Sequence, residues 1–171
     1  MPKNHHLVRS QLVARPLDDV FAFFADAANL EPLTPPLLRF RILTPLPIVM
    51  ETGARIDYRL SLFGVPLRWR TRITDWQPGV QFVDEQESGP YALWRHTHRF
   101  EARGSYTLVH DLVEYREPLG PLGLLAHGLF VRRTLDTIFN YRAAAVSTLL
   151  DRRPPQGPPP ANEAGYVHAT S

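Results

Sequence analysis

Apolar positions along this chain change period four times, and each change marks an element. Leu7 to Ala14, LVRSQLVA, has the β-forming run of a first strand and stops at Arg15-Pro16, where proline disfavours further pairing. Leu17 to Leu30, LDDVFAFFADAANL, then predicts a helix, with Asp18 and Asp19 where the helix dipole favours acids and Val20, Phe23 and Phe24 on one face. Pro32, Pro35, Pro36, Pro45 and Pro47 leave room between them only for RFRIL, an expected edge strand. From Ala54 the period is two. Ile56, Tyr58, Leu60 and Leu62 alternate with Asp57, Arg59 and Ser61, and FGVP turns the chain into a run where Leu67, Trp69, Thr71 and Ile73 oppose Arg68, Arg70 and Arg72. VQFVDEQE, YALWRHTHRFEA and SYTLVHDLVEYRE follow as further strands, separated by the turns at Asp75–Gly79, Ser88-Gly89-Pro90 and Arg103-Gly104. Helical spacing returns from about Leu122 to Leu150, through Leu125, Leu129, Leu135, Ile138, Phe139, Val146 and Leu149.

Strand, helix, a run of antiparallel strands and one long terminal helix make an α+β arrangement with helix packed on sheet. Strands with arginine on one face and apolar residues on the other need a single cover, and the last helix is the element long enough to supply it. A sheet that curves around this helix without touching it everywhere leaves an apolar cavity between them. The domain is expected to span residues 1–150. Residues 151–171, DRRPPQGPPPANEAGYVHATS, are rich in proline and too poor in apolar groups to offset ordering, so they read as a disordered tail.

Composition narrows the function classes. With 171 residues, 44% hydrophobic and 21% charged, the chain suits one domain with a sizeable core. Its 19 basic and 17 acidic residues are interspersed, and no basic stripe predicts nucleic-acid binding. There is no cysteine, hence no disulfide and no thiolate metal site. No signal-peptide run opens the sequence and no apolar stretch reaches the ~18 residues of a membrane span, so a cytoplasmic protein without an integral membrane segment is expected.

Candidate chemistry sits in Tyr91 to Phe100, YALWRHTHRF. Alternation puts Trp94, His96, His98 and Phe100 on the face that ought to be core. With Arg103-Gly104 as a two-residue turn, His96 lies opposite Asp111 and His98 opposite Val109, and Thr107, Val113 and Tyr115 share that face. A polar group on an apolar wall needs a partner, and Asp111 can supply one to His96. In the plainest reading the two satisfy each other and fix strand register. In another, His96 and His98 point into the cavity and orient a polar group on an apolar guest, with Tyr58, Trp69, Phe82, Trp94, Val113, Tyr115 and Leu129 as the wall. Trp94 also reads simply as core. Asp84 joins the inner face if Phe82 points inward. His-x-His with one facing carboxylate offers three metal ligands, but no fourth is evident, so neither a metal nor any other cofactor is expected.

PLDDVFAFFADAANLEPLTPP after the first strand, FVDEQESGPYALWRHTHRF in the middle and DLVEYREPLGPLG before the last helix resemble the START-like and birch-pollen-allergen-like superfamily, also called SRPBCC or polyketide cyclase/dehydrase-like. The resemblance covers residues 5 to 150 and implies the helix-grip fold, a curved antiparallel sheet wrapped around a long C-terminal helix. It further implies a hydrophobic or aromatic small molecule, lipid or polyketide-like, as the partner. Members also include polyketide cyclases and dehydratases, on which basis His96 oriented by Asp111 would act as general acid or base. A third reading is a protein-interaction module in which the pocket face is only structural. By the same resemblance, Thr34-Pro35-Pro36 and Gly120-Pro121-Leu122-Gly123 would flank the cavity mouth.

Overall fold

The protein was analysed as a computed structural model, which describes residues 3–62, 64–117 and 130–150. Strand β1 (His5–Val13) leads into helix α1 (Leu17–Ala25). Short 3-10 turns at Ala27–Leu30 and Pro36–Leu38 carry the chain to β2 (Arg41–Ile42). Then come β3 (Arg55–Leu62), β4 (Val65–Gln77), β5 (Gln81–Ser88), β6 (Leu93–Arg103), β7 (Tyr106–Arg116) and helix α2 (Arg132–Leu150). The strands form one antiparallel seven-stranded sheet in the order β1-β7-β6-β5-β4-β3-β2. Chain order is thus kept across the sheet except that β1 closes beside β7, leaving two-residue β2 as the far edge. Irregularities in β4 at Arg70/Thr71 and Ile73/Asp75 add bend there, since a bulge increases local twist. The second restores Trp76 to the inner face, where it pairs with Phe82.

Two expectations are corrected. The helix predicted over Leu17–Leu30 ends at Ala25, because Asp26 adopts an extended backbone and its carboxylate accepts from the Ala28 N–H at 2.9 Å, capping a separate turn. Its buried residues are Val20, Phe21 and Phe24, with Phe23 only partly covered. The β6–β7 turn is Gly104-Ser105 and not Arg103-Gly104: Arg103 pairs with Tyr106. Gly104 takes φ +65°, which only glycine adopts freely. Every pairing therefore moves by two, so that His96 faces Val113 and His98 faces Asp111. Because a shift of two preserves side-chain alternation, each residue stays on its expected face.

Helix α2 buries Leu135, Phe139, Ala143 and Val146, one stripe at helical spacing. Gln11 on β1 donates to the Ala143 carbonyl at 2.8 Å and to Ser147 Oγ at 2.9 Å, and the buried Arg9 guanidinium pairs with Asp136. The core has two parts. Val13, Val20, Phe21, Phe24, Leu33, Phe82, Phe100, Val109 and Val146 form one, and Leu7, Val113, Tyr115, Leu135 and Phe139 the other. The first eight residues predicted for α2, the loop 118–123 and the tail 151–171 lie outside the described residues, as does Leu129. No described helix is long and apolar enough to cross a membrane.

Candidate functional site

Between helix and sheet lies a cavity of about 190 Å³. Its wall is mostly apolar, and aromatic rings dominate one side. Tyr58 stacks on Trp69 with centroids 5.8 Å apart, Phe40 meets Tyr58 at 4.7 Å, and Trp94 stands edge-on to Trp69 at 5.3 Å. Trp69 is buried, yet its Nε1–H has no hydrogen-bond partner among the described residues. Of the expected wall, Tyr58, Trp69, Phe82, Trp94, His96 and His98 line the cavity. Val113 and Tyr115 do not: they pack with Leu7, Leu135 and Phe139 in the second part of the core. Trp94, which also read as core, is half-buried against this space.

At one end of the cavity the wall turns polar. Strand pairing puts Asp84 beside His96 and Phe82 beside His98, while Asp111 stands across from His98 on β7. His96 Nε2 lies 2.8 Å from Asp111 Oδ1, and His98 Nδ1 lies 3.1 Å from the same oxygen. On their other sides, His98 Nε2 is 2.9 Å and His96 Nδ1 3.7 Å from Asp84 Oδ2. The two imidazoles lie with centroids 3.7 Å apart, and Phe82 stacks beneath His98 at 4.2 Å. Both histidines are buried, and Asp84, His96 and His98 face the cavity whereas Asp111 lies behind them.

Arg142 completes the group. Its Nε is 3.9 Å from Asp111 Oδ2 and its guanidinium lies over the Phe24 ring at 5.1 Å. Burial disfavours the Asp111 carboxylate, but the Arg142 charge and hydrogen bonds from both histidines outweigh that and hold it well below the usual carboxylate range. Asp84 is likewise held down despite burial, by His98 and the positive charges around it. Burial and the neighbouring His98 lower His96, which stays neutral with Nε2–H donating to Asp111. Burial also opposes the His98 imidazolium, but its two carboxylate partners raise it above the ordinary histidine value.

Sequence reasoning brought His96 and Asp111 to one face and left Asp84 conditional on register. It did not single out Arg142 as a site residue. The available signal was spacing, because Arg142 falls seven residues after Leu135 and four before Val146, on the buried stripe. Leu33, Leu38 and Met50, from the segments around the prolines, and Leu30, expected to end the first helix, also line the cavity and are not among the expected wall residues.

Solved structures share this architecture. The Zhui aromatase/cyclase from Streptomyces sp. R1128 superposes with a TM-score of 0.69 at 19% identity, covering 88% of this chain and 96% of that one. A START superfamily protein from Mycobacterium smegmatis gives 0.62 at 15%, covering 86% and 97%. Norcoclaurine synthase from Thalictrum flavum gives 0.63 at 15%, covering 88% and 96%. At these identities the likeness shows the helix-grip fold alone. No curated protein sequence matches significantly. A family profile described as "Polyketide cyclase / dehydrase and lipid transport" matches residues 13–140, from the end of β1 into α2, a span that holds Asp84, His96, His98 and Asp111 and stops short of Arg142. By that match, the chain belongs to the polyketide cyclase/dehydrase and lipid transport family.

Proposed function

We propose that the protein binds a small hydrophobic or aromatic molecule in the cavity between sheet and α2, with the guest's polar group directed at Asp84, His96 and His98. The observation that carries this reading is the cavity itself: about 190 Å³ of apolar-walled space with a polar end. Dispersion and area burial favour an apolar occupant there, and a few convergent polar groups give it orientation. The orphan Trp69 Nε1–H supports a guest that carries a hydrogen-bond acceptor, because an unsatisfied buried donor costs free energy until something accepts from it. A pure interaction module calls for a solid helix–sheet interface, which this cavity argues against.

Native mass spectrometry of the full chain purified from its host without added ligand tests the reading. A mass excess of one small apolar molecule is expected, along with saturable binding of a fluorescent apolar dye that Leu60→Trp, placed in the cavity wall, weakens. Protein that arrives bare and binds no dye would reject it.

The cavity-facing side of His96, with its far nitrogen held by Asp111 at 2.8 Å, favours a second reading as a cyclase or dehydratase. There the neutral imidazole takes a proton from an enolisable carbonyl compound and returns it to a leaving hydroxyl. In that case His96→Ala abolishes turnover while the guest is still retained. In a carrier the same substitution changes affinity only.

A further inference from the structure

We propose that Asp84, His96 and His98 form a binding site for one divalent transition-metal ion, of zinc or ferrous-iron type, whose remaining coordination positions open onto the cavity. One ligand atom from each residue lies within 4.8 Å of those of the other two. The separations to Asp84 Oδ2 are 2.9 Å from His98 Nε2 and 3.7 Å from His96 Nδ1. Bonds of about 2.0–2.1 Å in tetrahedral geometry place ligand atoms roughly 3.3 Å apart, so each of these two separations lies within about 0.4 Å of that spacing.

The rest of the cluster has the form of a metal's outer support. Both nitrogens turned away from Asp84, His96 Nε2 and His98 Nδ1, meet the single oxygen Asp111 Oδ1. At His96 a carboxylate accepting from the outer N–H fixes tautomer and ring direction, as is usual for metal-binding histidines, while the outer nitrogen of His98 is shared between Asp111 and Arg142 Nη2 at 3.4 Å. Arg142 faces the other Asp111 oxygen. The three ligands stand on adjacent strands β5 and β6, where backbone pairing limits their drift. From sequence, a metal lacked a fourth ligand. The folded chain removes that objection, because Asp84 replaces Asp111 as the carboxylate ligand and the open side is the cavity. Three protein ligands with an open position is an arrangement that binds and polarises an oxygen-bearing guest, and an N/O donor set without thiolate suits zinc or iron. This site does not depend on the apolar guest.

The test uses the full untagged chain, stripped by chelator and titrated with Zn²⁺ and Co²⁺ while calorimetry and Co²⁺ visible absorption are recorded. One equivalent should bind, with a d–d band showing nitrogen and oxygen donors. Asp84→Asn and His98→Gln should weaken binding more than tenfold, and Asp111→Asn about 10–100-fold through lost orientation. Circular dichroism checks that each variant folds. X-ray absorption on the Co²⁺ protein of wild type and of His6→Ala, with two imidazoles expected in both, keeps the test decisive if any variant at the site does not. Absence of binding by folded wild type overturns the proposal. So does binding that persists in folded Asp84→Asn and His98→Gln but is lost in His6→Ala, because the adjacent His5-His6 pair would then be the ligand.

Discussion

Tyr58 shows how one cavity residue reports on its surroundings. Burial, followed by the charge of Asp84, pushes its phenol well above the ordinary tyrosine value. Burial also raises Tyr91, with Tyr115 and Glu117 adding to it, and raises Tyr115, with Glu117 adding. A folded value above the unfolded one near 10 means that stability from these groups is fully present below about pH 10 and is lost as pH rises through the folded values. Absorbance titration should therefore find these three of the six tyrosines un-ionised until the protein unfolds in alkali. Free titration of all six in folded protein would contradict the burial described above. The facing of Tyr58 and Tyr115 was legible because charged residues, Asp57 and Arg59 or Glu114 and Arg116, flank each of them in its strand. Asp84 and Arg142 were harder to read, since a charged residue in a strand or helix defaults to solvent unless its partner is known. Arg142's partner, Asp111, lies 31 residues away in sequence.

At the scale of elements, strand identity and facing were readable where register was not. Hairpin register depends on which two residues form the turn, and Arg-Gly and Gly-Ser are both plausible from composition. The pairing of Arg103 with Tyr106 decides it, and Gly104 supplies the positive φ that the turn needs. A Cβ there meets nothing within 4 Å, so Gly104→Ala costs only backbone strain, about 1 kcal/mol, seen as a lower urea midpoint with unchanged slope. Gly104→Asn should cost less, because Asn tolerates the left-handed region. Equal stability of glycine and alanine at this position would refute the Gly104-Ser105 turn. The first helix was read too long because apolar spacing continues through Ala27 and Leu30. What ends it is a local competition that Asp26 wins by capping the next turn. Asp26→Ala should cost about 1 kcal/mol in the same assay, with the loss confined to the Ala27–Leu30 turn.

For the whole molecule, the order of elements was enough to indicate a sheet gripping a helix. Cavity volume was not, because it is the small difference between a curved wall and the side chains that fill it, drawn from segments across the chain. The moorings of α2 carry a consequence for how that space is reached. Among the described residues, its polar ties run to β1 through Arg9 and Gln11, and to β6 and β7 through Arg142. The opposite flank, where β3 and β4 end in the two-residue β2, carries cavity wall without such ties. On the binding reading proposed above, this arrangement predicts a jaw hinged on one side, in which the free strands lift to admit a guest while the anchored rod stays in place. Amide hydrogen exchange should be faster along β3 than along β7 and should slow at β3 once the space is filled; protection that is uniform across the sheet would mean the jaw does not open there.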